Sequence, residues 1–129
     1  MPGRVVGFHH LSLSVTDLAR STAWYQAVLG VEVIGEVEGK TFRRVRLRSP
    51  GDGVTLTLTC HDQQPDGPFD ERRVGMDHVA LAVAPGSVPA FLAHFDELGV
   101  EHSQMREYEE GVATITFRDP DNIQLEVFG

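Results

Sequence analysis

A chain of 129 residues that is 41% hydrophobic and 23% charged has the size and composition of one globular domain, not of a disordered segment. Its 11 basic and 19 acidic residues leave a net charge of −8, which offers no source for counterion-release binding and argues against a nucleic-acid partner. No apolar run approaches the roughly 20 residues of a bilayer crossing, the opening MPGRVVGFHH has no apolar signal core, and the lone Cys60 excludes an internal disulfide or a CxxC metal site, so a cytoplasmic protein without a membrane span is expected.

From His10 the chain alternates: His10, Ser12 and Ser14 interleave with Leu11, Leu13 and Val15, the period of a strand with one polar and one apolar face. A helix is predicted from Asp17 to Gly30, with Leu18, Tyr25 and Leu29 on one stripe and Trp24 and Tyr25 as core aromatics. Arg44, Arg46 and Arg48 then alternate with Val45 and Leu47, so the arginines share a sheet face that either meets an anionic substrate or is simply solvated. A turn at SPGDG leads into VTLTLT from Val54, and the first half closes as a hairpin. Cys60, near the end of that strand, reads as a small buried residue, because no His and carboxylate pair is placed beside it. The stretch from His61 to Gly75 is polar and rich in Pro, Gly and charge, a linker too short to separate two domains.

The second half repeats the first, and a repeat constrains the fold by itself. DHVALAVAPGSVPAFLAHFDELGVEH from Asp77 follows the pattern of HHLSLSVTDLARSTAWYQAVLGVEV from His9, with His78 standing 68 positions after His10. His78, Ala80 and Ala82 alternate with Val79, Leu81 and Val83. Val88, Phe91, Leu92, Phe95 and Leu98 recur at helical spacing, with Ser87 as N-cap, Pro89 in the first turn and Gly99 ending the helix. The segment REYEEG from Arg106 precedes the next strand, and Tyr108 and Glu110 there are candidates for a loop-borne acid or base. Thr114 to Arg118, a turn at DPDN, and IQLEVF from Ile123 mirror the first hairpin; setting Ile123 against Val54 pairs Glu126 with Thr57 at an offset of 69. The expected fold is α+β: two βαβββ modules, about residues 5–60 and 76–129 around a linker at about 61–75, forming a curved mixed sheet in a single domain.

If the two copies pair about a pseudo-twofold axis, His10, Thr57, His78 and Glu126 take symmetric places on the sheet. Two imidazoles and a carboxylate leave open positions on a divalent ion, a set suited to Fe, Mn or Zn, with Thr57 at the vacancy as a poor ligand. The same alternation of His, Ser, Thr and Glu with Leu and Val also describes the solvated face of an ordinary antiparallel sheet. The register of both histidines within one repeat, and Glu126 following from the same symmetry, favour the metal reading. His9, His61, His94 and His102 have no symmetric partner and receive no role.

The pattern H-x-x-x-x-V-x-D-L-x-x-S from His10, followed by W-Y and L-G, DHVALAV and the closing FRDPDNIQLEVF, resembles the vicinal oxygen chelate superfamily. This superfamily contains glyoxalase I, methylmalonyl-CoA epimerase, extradiol dioxygenases, fosfomycin-resistance thiol transferases and bleomycin-binding proteins. The resemblance implies the glyoxalase/bleomycin resistance/dioxygenase fold, metal ligands at His10, His78 and Glu126, and a homodimer whose concave sheets enclose a cavity. Glyoxalase I and the epimerase place Glu or Gln where Thr57 stands, and extradiol dioxygenases place Tyr where Thr116 stands. Fosfomycin enzymes carry a small hydroxyl residue where Ser12 stands. The implied function is a divalent-metal-dependent enzyme, of lyase, isomerase or dioxygenase type, acting on a small molecule with vicinal oxygens. Ser12, Thr57, Arg46, Thr116 and Phe128 are then expected at the substrate. The alternative is a metal-free protein that sequesters an antibiotic or metabolite in a cavity lined by residues such as Phe42, Phe69, Ala80, Ala82 and Phe128.

Overall fold

A computed structural model describes residues 3–51, 53–109 and 111–129. The chain divides into two compact units, residues 1–65 and 66–129, and the division falls inside the stretch read as the linker. Each unit has the βαβββ order expected from the repeat.

The first unit contains β1 (Leu11–Ser14), α1 (Leu18–Leu29), β2 (Glu32–Glu38), β3 (Phe42–Arg48) and β4 (Thr55–His61). Its mixed four-stranded sheet runs β1-β4-β3-β2, with β1 parallel to β4 and the other pairs antiparallel. Asp17 is extended, and its side chain accepts the Arg20 N–H at 2.9 Å, satisfying one of the donors left open at a helix start. Gly30 stops the helix in the left-handed region at φ 66°, where a side chain would be strained. The helix buries Ser21, Tyr25 and Val28 and packs on β3 and β4, whose Val45, Leu47, Leu56 and Leu58 are also buried. The buried stripe is therefore rotated from the expected one. Leu18, Leu29 and Trp24 flank it half-buried, and the Trp24 indole lies edge-on to Tyr25 with centroids 4.9 Å apart. Cys60 is also only half-buried, its thiol directed to the Thr16 carbonyl at 3.6 Å.

The second unit contains β5 (Val79–Ala82), α2 (Val88–Leu98), β6 (Arg106–Glu107), β7 (Ala113–Arg118) and β8 (Gln124–Phe128), ordered β5-β8-β7-β6 with β5 parallel to β8. Phe95 is fully buried, its ring 4.5 Å from Phe117, 5.9 Å from Phe91 and 6.1 Å from His102. Two helix expectations change. Ser87 directs its hydroxyl back to the Ala84 carbonyl at 2.6 Å and makes no side-chain cap, and Leu98, the last residue of the helix, is exposed. The DPDN turn is built around buried Asp119, whose carboxylate accepts the Asp121 and Ile123 N–H groups at 2.9 and 2.8 Å. Asn122 occupies the left-handed region at φ 66°, which its short polar side chain tolerates. DPDN is thus a structural turn.

Strand pairing places the repeat in register. Leu11 stands opposite Leu56 as Val79 stands opposite Leu125, and Thr57 opposite Arg46 as Glu126 opposite Thr116. The offset is 68 at the first strand of each unit, 70 at β3 and β7, and 69 at β4 and β8. The second unit therefore has two extra residues between its first and third strands and one fewer in its hairpin turn.

His102, which received no role from the sequence, bridges Asp96 at 2.7 Å and the Ser103 carbonyl at 2.6 Å. The hydrogen bond to Asp96 and then that to Ser103 raise its pKa above the ordinary 6.5. A raised folded-state pKa stabilises below the unfolded value and loses that contribution as pH climbs through the folded one. Asp96→Asn is therefore expected to lower the urea midpoint at about pH 6 and to have a shrinking effect toward about pH 9. An effect of equal size at both ends would refute the assignment.

Candidate metal and ligand site

In the second unit the apolar face of the sheet, with Leu125, Val127, Ile115 and Phe117, is buried. The period of two turns Ala80, Glu126 and Thr116 to the other face, where they form one row across β5, β8 and β7. His78 lies two residues before Ala80, and its Nε2 is 3.5 Å from Glu126 Oε2. Two of the three expected metal ligands are thereby together. The Glu126 side chain is 14% exposed and that of His78 is 41% exposed, so the pair sits at the floor of an open face. Thr114 donates its hydroxyl to Glu126 Oε1 and fixes the carboxylate from its far side.

A set of residues that sequence reasoning did not single out holds His78 in place. Asp77 Oδ1 is 2.6 Å from His78 Nδ1. An ionised carboxylate only accepts, so a ring hydrogen belongs on Nδ1, which fixes the ring with Nε2 facing Glu126. Asp77 receives Gln124 Nε2 at 3.4 Å, and Gln124 Oε1 receives Arg118 at 2.7 Å. Arg118 is clamped by both Glu71 oxygens at 3.0 and 2.8 Å, a two-point pairing that fixes guanidinium orientation. The hydrogen bond from Arg118 holds the Glu71 carboxyl at about 2, well below the usual carboxylate range. Gln124 and Arg118 share the face of Glu126 and Thr116 by the period of two, which was a readable signal. Glu71 belongs to the linker and had none.

Tyr108 and Phe128 also meet. Their ring centroids are 5.8 Å apart, and the Arg106 guanidinium lies over the Tyr108 ring at 4.9 Å. Phe128 is in register with Ala82 and Thr114, two residues along from Glu126 on the same face, and is 41% exposed. Glu110 lies outside the described residues. Phe69 is half-buried, and its backbone is tied to the DPDN turn through Asp121 and Asn122.

In the first unit the corresponding row is Ser12, Thr57 and Arg46. Thr57 is buried and donates to the Leu11 carbonyl at 3.4 Å, which occupies its only hydrogen. Ser12 contacts Thr59 at 3.1 Å, and Thr59 accepts Arg44 Nε at 2.8 Å. His10 is exposed, with its Nδ1 2.8 Å from Nδ1 of His9, the residue that matches Asp77 in the repeat. The first unit therefore has a histidine where the second has an orienting carboxylate. Within either unit by itself, among the described residues, no group of three or more His, Cys, Asp or Glu side chains is gathered closely enough to hold an ion.

The two repeated βαβββ units and the closing DPDN hairpin agree with the family match over residues 7–127: the chain belongs to the Glyoxalase/Bleomycin resistance protein/Dioxygenase superfamily. It is similar to a glyoxylase/bleomycin resistance protein/dioxygenase domain from Frankia sp. EAN1pec, with a TM-score of 0.87, 29% identity, and coverage of 97% of this chain and 92% of that one. The YaeR protein of Escherichia coli (strain K12) is 28% identical over 93% of each chain. The fosfomycin resistance protein FosX from Listeria monocytogenes, solved with Mn(II) and sulfate, shares the fold at a TM-score of 0.68 and 21% identity, over 98% of this chain and 93% of that one.

Proposed function

We propose that the protein is a divalent-metal-dependent enzyme acting on a small molecule with adjacent oxygen atoms. The observation that carries this reading is the His78 and Glu126 pair: a nitrogen and an oxygen 3.5 Å apart on one face, each held from behind by another residue. An imidazole nitrogen and a carboxylate oxygen are both ligands for divalent ions, and their convergence suits a shared cation. His10, the repeat counterpart of His78, is the proposed third ligand. The manganese in FosX supports a metal in this family. When bound, Fe, Mn or Zn would supply Lewis acidity toward the substrate oxygens. Ser12, Thr57, Arg46 and Thr116, on the rows of Thr57 and Glu126, would bind substrate, and Phe128 with Tyr108 would form an aromatic wall. Tyr108 and Glu110 are the proposed proton-transfer groups. The reading extends to a cytoplasmic homodimer, on the strength of the single cysteine and of the resemblance.

Protein grown with Fe, Mn or Zn in turn and purified without a tag is expected to retain near one equivalent of one of these metals. Metal content indistinguishable from background after all three growths would overturn the reading. In that event the Tyr108 and Phe128 stack beside Ala82 favours the second reading, a metal-free face that encloses a planar antibiotic or metabolite.

A further inference from the structure

We infer that the polar sheet face of the first unit is an oxyanion-recognition surface, so that the substrate carries a carboxylate or a phosphoryl or sulfuryl group. This rests on the placement of Arg46, Ser12 and Thr57 at the substrate and narrows its chemistry: Arg46 and Ser12 would donate to the oxyanion, and Thr57, whose hydrogen goes to the Leu11 carbonyl, would line the face between them. In a chain of net charge −8, Arg44, Arg46 and Arg48 stand at alternate positions of β3, on one face and about 7 Å apart. Like charges at that spacing repel, so the arrangement favours a counter-charge that something must supply.

The sheet itself supplies little. On the β2 side, Arg44 is opposite Val37, Arg46 is opposite Gly35, and only Arg48 meets an acid, Glu32. Glu36 and Glu38 are paired with Val45 and Arg43 and belong to the other face. A register shift between Val33 and Gly35 sets Ile34 and Gly35 against Arg46 on that side, and neither offers a carboxylate. On the β4 side the arginines meet hydroxyls, Arg44 opposite Thr59, Arg46 opposite Thr57 and Arg48 opposite Thr55, and β1 continues two rows with Ser14 and Ser12. Arg44 is anchored by Thr59 and by the Phe42 ring, 4.6 Å from its guanidinium. Arg46 is exposed and forms no ion pair among the described residues. Its fork of donors is free to take two oxygens of one group, the geometry that distinguishes arginine from lysine.

The test is a titration of metal-stripped, 15N-labelled protein at low ionic strength with methylphosphonate, sulfate and acetate, each against chloride at matched ionic strength. The expected result is saturable movement of the Arg46 Nε–H signal and of the Ser12 and Thr57 amides with at least one oxyanion. Arg46→Gln should weaken binding at least tenfold, Arg46→Lys by less, and Arg43→Gln, on the opposite face, not measurably. The ranking of the three probes identifies the group. Shifts that chloride reproduces, that fail to saturate, or that persist unchanged in Arg46→Gln would overturn the inference. Because no metal is present, oxyanion binding by a protein that retains no metal sinks the metal reading alone, and metal retention without oxyanion binding sinks this one alone.

Discussion

Phe95→Ala is expected to destabilise the protein by about 3–5 kcal/mol, the range for removing a fully buried aromatic side chain. The ring has no exposed surface and is enclosed by Phe117, Phe91 and His102. Its loss removes a large ring packed between α2 and β7 and leaves a cavity there. Against a total stability of about 5–15 kcal/mol for a domain, this is the largest single effect expected from one core position in the second unit. Urea unfolding of the purified variant would measure it. A loss below about 1 kcal/mol would show that the helix is held elsewhere. Phe95→Leu keeps most of the volume and should cost less than half as much.

The second large effect concerns His78 and the residue behind it. His78→Ala is expected to abolish metal retention, and Asp77→Ala to weaken metal affinity by about 10–100-fold while leaving the fold intact. Asp77 makes its 2.6 Å contact with Nδ1 from an exposed position, so removing it frees the ring without opening the core. Imidazole nitrogen shifts in metal-free protein provide a separate measurement. They should report hydrogen on Nδ1 of His78 in the parent and a shift toward the Nε2–H form in Asp77→Ala, with Asp77→Asn, which still offers an oxygen, in between. Identical nitrogen shifts in all three proteins would refute the orienting role even if metal is bound.

Much of this architecture is written in short-range pattern. The alternation of Ser12 and Ser14 with Leu11 and Leu13 set the faces of β1, Asp17 and Gly30 bounded α1, and the spacing of His10 and His78 announced the duplication. The pairing of Thr57 with Glu126 followed from aligning two hairpins, and the strand registers agree with it. What escaped was of longer range. The buried stripe of α1 includes Ser21, a residue that burial tolerates only in its packed setting. The line from Glu71 through Arg118 and Gln124 to Asp77 joins residues 47 positions apart at two of its steps, and no periodicity spans that distance. Its members look like ordinary surface polar residues until folding brings them into a chain.

The parallel pairing of β1 with β4, and of β5 with β8, has a bearing on engineering. A half whose opening strand lies against its own closing strand carries a complete ladder, and a cut between Pro65 and Pro68 severs no hydrogen bond described for either half. Such a half keeps its own ladder when a loop within it changes length, as the offsets of 68, 70 and 69 record. The two copies differ in chemistry accordingly, one carrying arginine and hydroxyl groups and the other a histidine, a carboxylate and the residues that aim them.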